Sequence, residues 1–418
     1  MRVRRIRRML TAVILVIGVG TGPPSATGAS PASGDRHPTV VRFATFNASL
    51  NRGAEGQLIT DLSTPDDVQA ATVAEIIQRA RPDVLLVNEF DFDADGVAAR
   101  LFQENYLSVP HNGAAPIEFR YRFVAPSNTG IESGFDLNND GSVGGPDDAF
   151  GFGFFPGQFG MAVYSMHRIE RDGVRTFQLF RWADMPEALL PDDLATPEPA
   201  DWYSPEELAV VRLSSKSHWD LPIRLHRRIV HFLVSHPTPP VFDGPEDRNG
   251  RRNFDEIRFW ADYVTPGRAS RYIYDDAGHR GGLRPGAAFV IAGDQNADPF
   301  DGDSVPGAAE QLLELPRVDT STTPSSDGAV DASERQGGAN LGHRGDPRFD
   351  TADFADSAPG NLRVDYVLPS RPLRILDAAV FWPRADDPLF RLVGDFPFPS
   401  SDHRLVWADI AVRGGSHR

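Results

Sequence analysis

The sequence contains no cysteine and a single lysine, Lys216, among its 418 residues. Without cysteine the fold cannot depend on disulfide bonds or thiolate metal ligands, so its stability must come from core size or from bound ions. Positive charge is also scarce, because 58 acidic residues against 42 lysines and arginines give a formal net charge of -16. Such an acidic surface disfavours tight binding of duplex nucleic acid, which depends on basic side chains that neutralise phosphates.

Long apolar runs are missing too, apart from one short run near the amino terminus. Residues 1–29 combine a basic start, an apolar stretch from Leu10 to about Val19 and small residues around Ala29. We interpret them as an export signal peptide, which predicts a secreted protein of the extracellular space or the cell envelope. Two alternatives stay open, an uncleaved anchor and the twin-arginine route that Arg4 and Arg5 permit. No comparable stretch follows, so we expect no integral membrane domain.

The remaining chain predicts one large domain. Residues 30–38 form a flexible leader rich in proline, serine, glycine and alanine, and we place the folded domain at residues 39–413, with an insertion near residues 130–160. With 40% hydrophobic residues the chain can bury a substantial core. Residues 302–361 are rich in glycine, serine, aspartate and proline, which is typical of long surface loops. The role of a proline- and acid-rich insertion at residues 181–201 is not evident from the sequence.

Two amphipathic patterns predict helices. In TPDDVQAATVAEIIQRARPD, Thr64 is a plausible N-cap, Pro65 occupies the first helical position, and an apolar face follows. The pattern NFDEIRFWADYV also repeats apolar residues at helical spacing. Because each helix stands just before an apolar strand-like run, the sequence predicts layers of α-helices and β-strands.

Polar residues stand at the ends of six apolar, β-branched runs. The runs are VVRFATFN, DVLLVNE, RRIVHFLVSH, AAFVIAGDQN, RVDYVLP and SDHRLVWADI, and their polar residues are Asn47, Glu89, His236, Asp294, Asn296, Asp365, Asp402 and His403. Any one of these can simply cap a turn, since Asp and Asn favour turns. Six such ends in one chain instead predict a site at one edge of a sheet.

In this order, these residues resemble the endonuclease/exonuclease/phosphatase superfamily of DNase I-like proteins. The resemblance covers about residues 40–412. It implies a four-layer α/β sandwich with two central, mostly antiparallel sheets flanked by helices. The family includes DNase I-like nucleases, apurinic endonucleases, inositol polyphosphate phosphatases and sphingomyelinases, so the resemblance fixes the chemistry better than the substrate.

The resemblance also implies a metal site. Asn47, Glu89 and Asp402 would hold Mg²⁺ or Mn²⁺, for which hard oxygen ligands are suited. The ion would neutralise charge on the phosphoryl oxygens while water attacks in line with the leaving group.

The same resemblance assigns the catalytic roles. Asp294 would orient or deprotonate the attacking water, and Asn296 would donate a hydrogen bond to the phosphate. His236 would contact a non-bridging oxygen. His403 would bind the phosphate or share in proton transfer, while Asp365 would hold its imidazole in the useful tautomer.

Basic residues outside this set have two interpretations each. In SSKSHWDLP, Lys216 and His218 can bind phosphate, because an ammonium among small hydroxyls suits an anion, or they can form a polar strand edge. Arg248, Arg251 and Arg252 can line the substrate entrance or an ordinary solvated loop.

A second cation site is predicted in DLNNDGSVGGPD, residues 136–147. Oxygen-bearing side chains alternate around a glycine turn, as in calcium loops, and they belong to Asp136, Asn138, Asp140, Ser142 and Asp147. The last position carries aspartate instead of the glutamate of EF-hands, and no clear apolar helix follows. The pattern is closer to dockerin-type loops, and the alternative is an acidic turn. We expect Ca²⁺ here to stabilise an insertion.

The sequence therefore predicts a secreted, divalent-metal-dependent phosphoesterase that hydrolyses a phosphodiester or phosphomonoester by attack of water. One alternative is an extracellular nuclease, with nucleic acid as the substrate. Another is a catalytically inactive, calcium-stabilised surface binding module, although the intact set of acids, amides and histidines argues against it. The sequence leaves the substrate, the physiological metal and the oligomeric state undetermined.

Overall fold

The computed structural model describes residues 39–412, so the predicted signal peptide and leader lie outside the described residues. Within this range, no helix has the length and apolar character needed to cross a membrane. The fourteen strands of this range are β1 Thr39–Leu50, β2 Val84–Phe90, β3 Tyr121–Phe123, β4 Met161–Ser165, β5 Arg168–Ile169, β6 Arg175–Thr176, β7 His218–Leu225, β8 Arg228–Ser235, β9 Ala288–Asp294, β10 Ala352–Asp353, β11 Asn361–Leu362, β12 Asp365–Pro369, β13 Arg374–Val380 and β14 Val406–Val412.

Seven α-helices connect these strands within the described residues. They are α1 Gln57–Leu62, α2 Val68–Ala80, α3 Val97–Phe102, α4 Pro205–Leu208, α5 Arg248–Val264, α6 Glu310–Leu313 and α7 Asp327–Gln336. Shorter helical turns are a π-helical turn at Gln103–Leu107 and 3₁₀ turns at Arg171–Gly173, Trp182–Asp184, Gly338–Gly342, Pro347–Phe349 and Pro388–Leu392.

The strands form two six-stranded sheets and one small ribbon. The first sheet has the order β13-β14-β1-β2-β4-β3, and the second has the order β12-β9-β8-β7-β5, with β6 paired to β7. Only β1 with β2 and β8 with β9 are parallel pairs in this part of the chain. The chain needs a crossover between parallel strands, and α2 and α5 provide the two crossovers. The prediction of mostly antiparallel sheets is confirmed.

Alternation along the strands explains how the layers stack. In β1, Val41 and Phe43 face the core between the two sheets, whereas Ala44 and Phe46 pack against the first three helices. Successive strand residues point to opposite faces, so one strand serves both cores. On the far side of the second sheet, α5 packs on β9. The order helices, sheet, sheet, helices is the predicted four-layer sandwich.

Two predicted boundaries differ from the structure. Helix α2 begins after Asp67, whose side chain accepts a hydrogen bond from the Ala70 N–H, and not after Thr64. The Tyr106 hydroxyl donates to the Thr64 carbonyl and accepts from the Asp67 N–H, which holds this segment in a turn. Helix α5 begins at Arg248, so the arginine-rich segment belongs to its first turns.

The prediction that residues 302–361 form long surface loops is wrong in part. This segment contains α6, α7, β10 and β11. The Ser326 hydroxyl accepts from the Ala329 N–H and caps α7, while Ala329 and Ala332 pack into the core between the sheets. The composition concealed this helix because its buried residues are alanines instead of large apolar side chains.

His218 carries a testable consequence for stability. Its ring is buried beside Phe259 and Trp260, and burial lowers its pKa to about 4, despite a hydrogen bond to the Glu256 carbonyl. In the unfolded chain the His218 ring binds a proton near pH 6.5, whereas in the folded protein it binds one only near pH 4. The contribution of His218 to stability is therefore constant above the unfolded pKa and falls as the pH drops through this window, by roughly 3 kcal/mol.

We expect urea denaturation to show this contribution as a change in the stability difference between wild type and His218→Asn from neutral to mildly acidic pH, since the raised pKa values of Asp91 and Asp294 affect both proteins alike. The His218→Asn variant should be less stable overall but should lose this part of the pH slope. His226→Asn is a matched control at an exposed residue and should keep the slope. An unchanged slope in His218→Asn would contradict the assignment.

Candidate active site

The amide of Asn47 joins the two sheets at one edge of the sandwich. Asn47 is fully buried at the end of β1, and its Nδ2 donates to Glu89 Oε1 and to Asp294 Oδ2, each at 3.1 Å. Glu89 lies on β2 of the first sheet, and Asp294 ends β9 of the second sheet. One side chain therefore holds two carboxylates that come from different sheets.

Glu89 is held by two amides on a strained backbone. Its second oxygen, Oε2, accepts from Asn51 Nδ2 at 2.9 Å. Its φ is 55°, in the left-handed region that side-chain-bearing residues rarely adopt, and Ser49 and Asn296 share this property. Such conformations cost about 1–3 kcal/mol each and concentrate at functional sites. Burial, and next the charge of Asp402, raise the pKa of Glu89.

Asp294 is the centre of the buried group. His236 Nε2 lies 3.4 Å from its Oδ2, and His403 Nε2 lies 3.6 Å from the same atom. Its Oδ1 accepts from the Asn296 N–H at 2.9 Å. Burial raises the pKa of Asp294 to about 6, although the His403 charge opposes the shift. Near neutral pH the carboxylate is ionised yet basic enough to accept a proton.

The two histidines beside Asp294 differ in charge, because one is neutral and the other is protonated. Burial, followed by the positive charges of Lys216 and His403, lowers the pKa of His236 well below its ordinary value. Burial also disfavours a charged His403, but the Asp365 and Asp294 carboxylates outweigh it and raise the pKa of His403 well above its ordinary value. At neutral pH, His236 is therefore a neutral imidazole and His403 an imidazolium.

Asp365 fixes the ring of His403 from the other side. Its Oδ2 lies 2.9 Å from His403 Nδ1 and accepts from the Thr351 hydroxyl at 2.9 Å. Asp365 stands directly opposite Asp294 because β12 pairs with β9 in that register. His403 thus lies between two carboxylates from neighbouring strands.

A glycine allows β9 to reach this position. Gly293, just before Asp294, has φ 149°, and a Cβ there would lie 2.0 Å from the Ser235 carbonyl oxygen. Any other residue would force β9 away from β8. The glycine of the GDQN motif therefore serves the close approach of two backbones that places His236 beside Asp294.

Two further predicted residues lie beside this group. The Asn296 amide donates to the Pro237 carbonyl at 3.1 Å, which uses one of its two hydrogens. Lys216 is 6% exposed and lines a cavity of about 460 Å³ together with Glu89 and His236. Burial lowers its pKa, although the charges of Glu256, Glu89 and Asp294 oppose the shift.

The structure corrects the prediction for His218. Its Nδ1 is hydrogen-bonded to the Ser214 hydroxyl, and its Nε2 lies 2.9 Å from the Glu256 carbonyl. Strand alternation explains the difference: His218 opens β7 with its side chain against the aromatic residues of α5. Both ring nitrogens are occupied, so His218 supports the core and does not meet a phosphate.

The predicted calcium loop is held by its own hydrogen bonds. Asp136 accepts from the N–H groups of Asp140 and Gly141, the Asn138 side-chain oxygen accepts from the Asp140 N–H, and Asp140 accepts from the Ser142 N–H. Asp147 is exposed. The neighbouring Asp148 instead closes the loop, because its carboxylate accepts from Leu137 and Gly144. Nothing in this arrangement supports Ca²⁺, which stays a prediction.

Two sets of side chains can be weighed as metal ligands. In the described part of the chain, ligand atoms of Asp294, Asp365 and His403 lie within 4.8 Å of one another, and this group could hold a metal ion. The His403 ring, however, already bridges the two carboxylates, with Nδ1 2.9 Å from Asp365 and Nε2 3.6 Å from Asp294. The oxygens of Asn47, Glu89 and Asp402 form a hard donor set, in which the Asp402 charge raises the pKa of Glu89. A divalent cation would relieve that repulsion, so this set fits Mg²⁺ or Mn²⁺ better.

Two members of the site escaped the sequence analysis. Asn51 directly follows the end of β1, four residues after Asn47. A second amide at the end of this strand could have indicated that Asn51 belongs to the site. Thr351 lies in the segment predicted as loop, and nothing in the local pattern marks it. Its role arises only when β12 brings Asp365 to it.

Comparisons with known proteins identify the family of this chain. Residues 44–403 match the model of the Endonuclease/Exonuclease/phosphatase family. No curated protein matches at a significant level. Among solved structures, an endonuclease/exonuclease/phosphatase from Beutenbergia cavernae is similar at 17% identity and a TM-score of 0.45, over 90% of this chain and 72% of that one.

Two further solved structures are similar to this chain. An endonuclease/exonuclease/phosphatase family protein from Leptotrichia buccalis is 14% identical with a TM-score of 0.44, over 88% of this chain and 99% of that one. The beta toxin of Staphylococcus aureus is 13% identical with a TM-score of 0.42, over 88% and 99%. The family assignment rests on the match to the family model.

Thr351 provides a test of the buried group. Its hydroxyl donates to Asp365 and accepts from the Val364 and Asp365 N–H groups at 3.0 Å each. Thr351→Val keeps the shape but removes the acceptor of the two N–H groups and one of the bonds to the Asp365 carboxylate, so the free energy of unfolding should fall by about 1–3 kcal/mol in urea denaturation. Thr72→Val, on the surface of α2, is the control and should change little. Equal stability of both variants would contradict the assigned role.

Proposed function

The chain belongs to the endonuclease/exonuclease/phosphatase family, and on that premise we propose that it is a divalent-metal-dependent phosphoesterase that hydrolyses phosphodiesters or phosphomonoesters. Members of this family are generally hydrolases of phosphate esters. The observation that carries the proposal is the buried Asp294 carboxylate, with the amide of Asn47 and the rings of His236 and His403 all within 3.6 Å of its Oδ2.

Asp294 is the proton acceptor in this proposal. Attack of water on phosphorus releases a proton, and a carboxylate with a pKa of about 6 accepts it more readily than an ordinary aspartate. The three neighbours on Oδ2 fix the direction of the carboxylate, so little reorganisation is needed at the moment of reaction.

His403 and Lys216 supply positive charge for the phosphate. His403 stays protonated because Asp365 and Asp294 stabilise its charge, and Lys216 lines the cavity beside Glu89 and His236. Buried cations of this kind stabilise negative charge on phosphoryl oxygens far better than solvated ones. The neutral His236 and the second amide hydrogen of Asn296 add hydrogen bonds to the same oxygens.

Glu89, Asn47 and Asp402 would hold the metal ion. When bound, Mg²⁺ or Mn²⁺ would neutralise charge on the phosphoryl group and the leaving oxygen. The chain's own contribution is to place these oxygens within reach of Asp294, which the bridging amide of Asn47 does.

We also propose that the enzyme acts outside the cytoplasm, on the basis of the signal-like residues 1–29. The net charge of -16 favours small phosphate esters over polynucleotides. Nuclease activity remains the alternative, because cleavage needs only transient contact with nucleic acid.

Replacing Asp294 tests the reaction directly. Asp294→Asn keeps the size of the side chain but removes its basicity and turns one of its two acceptor oxygens into a donor, so kcat/KM should fall by about 10³-fold. The assay is release of para-nitrophenol from bis(para-nitrophenyl) phosphate and from para-nitrophenyl phosphate in Mg²⁺. Asp303→Asn, at an exposed residue, is the control and should be fully active.

The same assay separates the alternatives. EDTA should abolish hydrolysis, and added Mg²⁺ or Mn²⁺ should restore it. Cleavage of plasmid DNA that is lost in Asp294→Asn would favour the nuclease. Full activity of Asp294→Asn would show that another group takes the proton, and silence on every ester would favour the binding module.

Lys216 allows a second test because it is the only lysine. We expect Lys216→Met to lower kcat/KM by about 10²-fold, since a buried cation beside the phosphate is lost. Arg374→Met removes a charge from an exposed position of β13 and should have no effect.

Chemical modification offers an independent measurement of the same residue. An amine-reactive reagent should inactivate the wild type, inorganic phosphate should protect it, and mass spectrometry should locate the protected label on Lys216. Labelling of Lys216 without loss of activity would contradict its role.

A further inference from the structure

The cavity beside Glu89 extends well beyond the space that a phosphate needs. Its volume is about 460 Å³, which lies within the range of roughly 300–1,000 Å³ typical of sites for small organic ligands. One end is formed by Glu89, Lys216 and His236 of the candidate active site. The rest of the cavity therefore continues directly from the position of the reacting phosphate.

The walls of this continuation are mostly apolar and aromatic. Phe150, Phe152, Phe159 and Tyr203 line it, and Phe242 stands at its mouth. Phe152 is 49% exposed and Phe242 is 86% exposed, which is unusual for phenylalanine. Large apolar side chains kept open to solvent beside a polar site are typical of ligand binding.

Local packing is built to bring these phenylalanines to the cavity. Gly151, between Phe150 and Phe152, lies so close to the next segment that a Cβ would be 1.9 Å from the Ser215 carbonyl oxygen. The Arg252 guanidinium donates to the Phe150 carbonyl, and the Arg212 guanidinium stacks on the Phe150 ring at 4.1 Å. The aromatic wall is thus fixed against the segment that carries Lys216.

Basic side chains outnumber acidic ones in the lining of the cavity, which holds Lys216, Arg248 and Arg252 against Glu89 and Asp147. Arg252 donates to the carbonyls of Leu213, Arg212 and Phe150, and the charges of Glu256, Glu89 and Asp294 act on Lys216. The excess of basic side chains favours an anionic group in the cavity. An apolar wall next to basic side chains fits an anionic ligand with an apolar body.

We propose that this cavity binds the organic part of the substrate, and that the substrate is a small phosphate ester with an aromatic or similarly bulky apolar group. This inference rests on the proposed function for the position of the phosphate. It selects one substrate class among those that the chemistry allows, because the net charge of -16 disfavours a polynucleotide.

Direct binding of two phosphonates tests the inference without any turnover. Naphthylethylphosphonate and ethylphosphonate carry the same anion and differ only in the apolar group. By titration calorimetry in Mg²⁺, the naphthyl compound should bind wild-type protein at least about 30-fold more tightly, as expected from burial of a two-ring group. Because no bond is cleaved, failure of catalysis and failure of this inference give different results.

Variants locate the binding. Ala149→Trp fills the cavity from a buried position and should reduce the preference to about 3-fold or less. Phe152→Ala trims a half-exposed side chain, which does not endanger folding, and should reduce the preference about 5-fold. Phe396→Ala is the matched control, because Phe396 is 85% exposed and does not line this cavity.

Three outcomes would overturn the inference. Equal affinity for both phosphonates, or no binding of either, would show that the cavity does not recognise an apolar group. A preference that survives in both cavity variants would place the naphthyl group elsewhere. Binding to phosphatidylcholine vesicles that is lost in Phe152→Ala, with no preference between the phosphonates, would assign the exposed phenylalanines to a lipid surface instead.

Discussion

The hydrogen bonds from Asn47 to Glu89 and Asp294 are the constraint on which the site depends. They bring together two carboxylates from different sheets in a buried place, where unpaired like charges would repel each other strongly. A neutral amide is suited to this position, because it donates to both oxygens without adding a charge. The same contact links the edges of the two sheets, so the packing of the sheets and the geometry of the active site both depend on Asn47.

Several features around Asn47 lower the stability of the fold but serve the active site. Glu89, Ser49 and Asn296 adopt left-handed backbone conformations, and Asp294, His403 and Lys216 are charged groups with little solvent around them. Each of these features is unfavourable in isolation. Three apolar cores hold them in place, one between the sheets and one on the outer face of each sheet. The cost also has a use, since burial raises the pKa of Asp294 to about 6 while neighbouring carboxylates keep His403 charged.

Charge is distributed unevenly between the surface and the site. The chain is strongly acidic overall, yet the cavity beside the site is lined by Lys216, Arg248 and Arg252 against Glu89 and Asp147. A negative surface repels large polyanions over a long range, whereas a small ester is influenced mainly by the local cations once it enters. This contrast is consistent with the small substrate that we propose.

The sequence by itself determined the alternation of strands and helices, the family and the chemical types at the strand ends, because these depend on local periodicity and on polar residues beside apolar runs. The tertiary structure decided which of those residues meet. It joined Thr351 to Asp365 and Asn51 to Glu89, turned His218 into the core, and closed the acidic loop with Asp148 instead of Asp147. Strand register and side-chain direction fix these contacts. Neither can be read from the pattern of a single segment, because both depend on the partner strand or helix against which that segment packs.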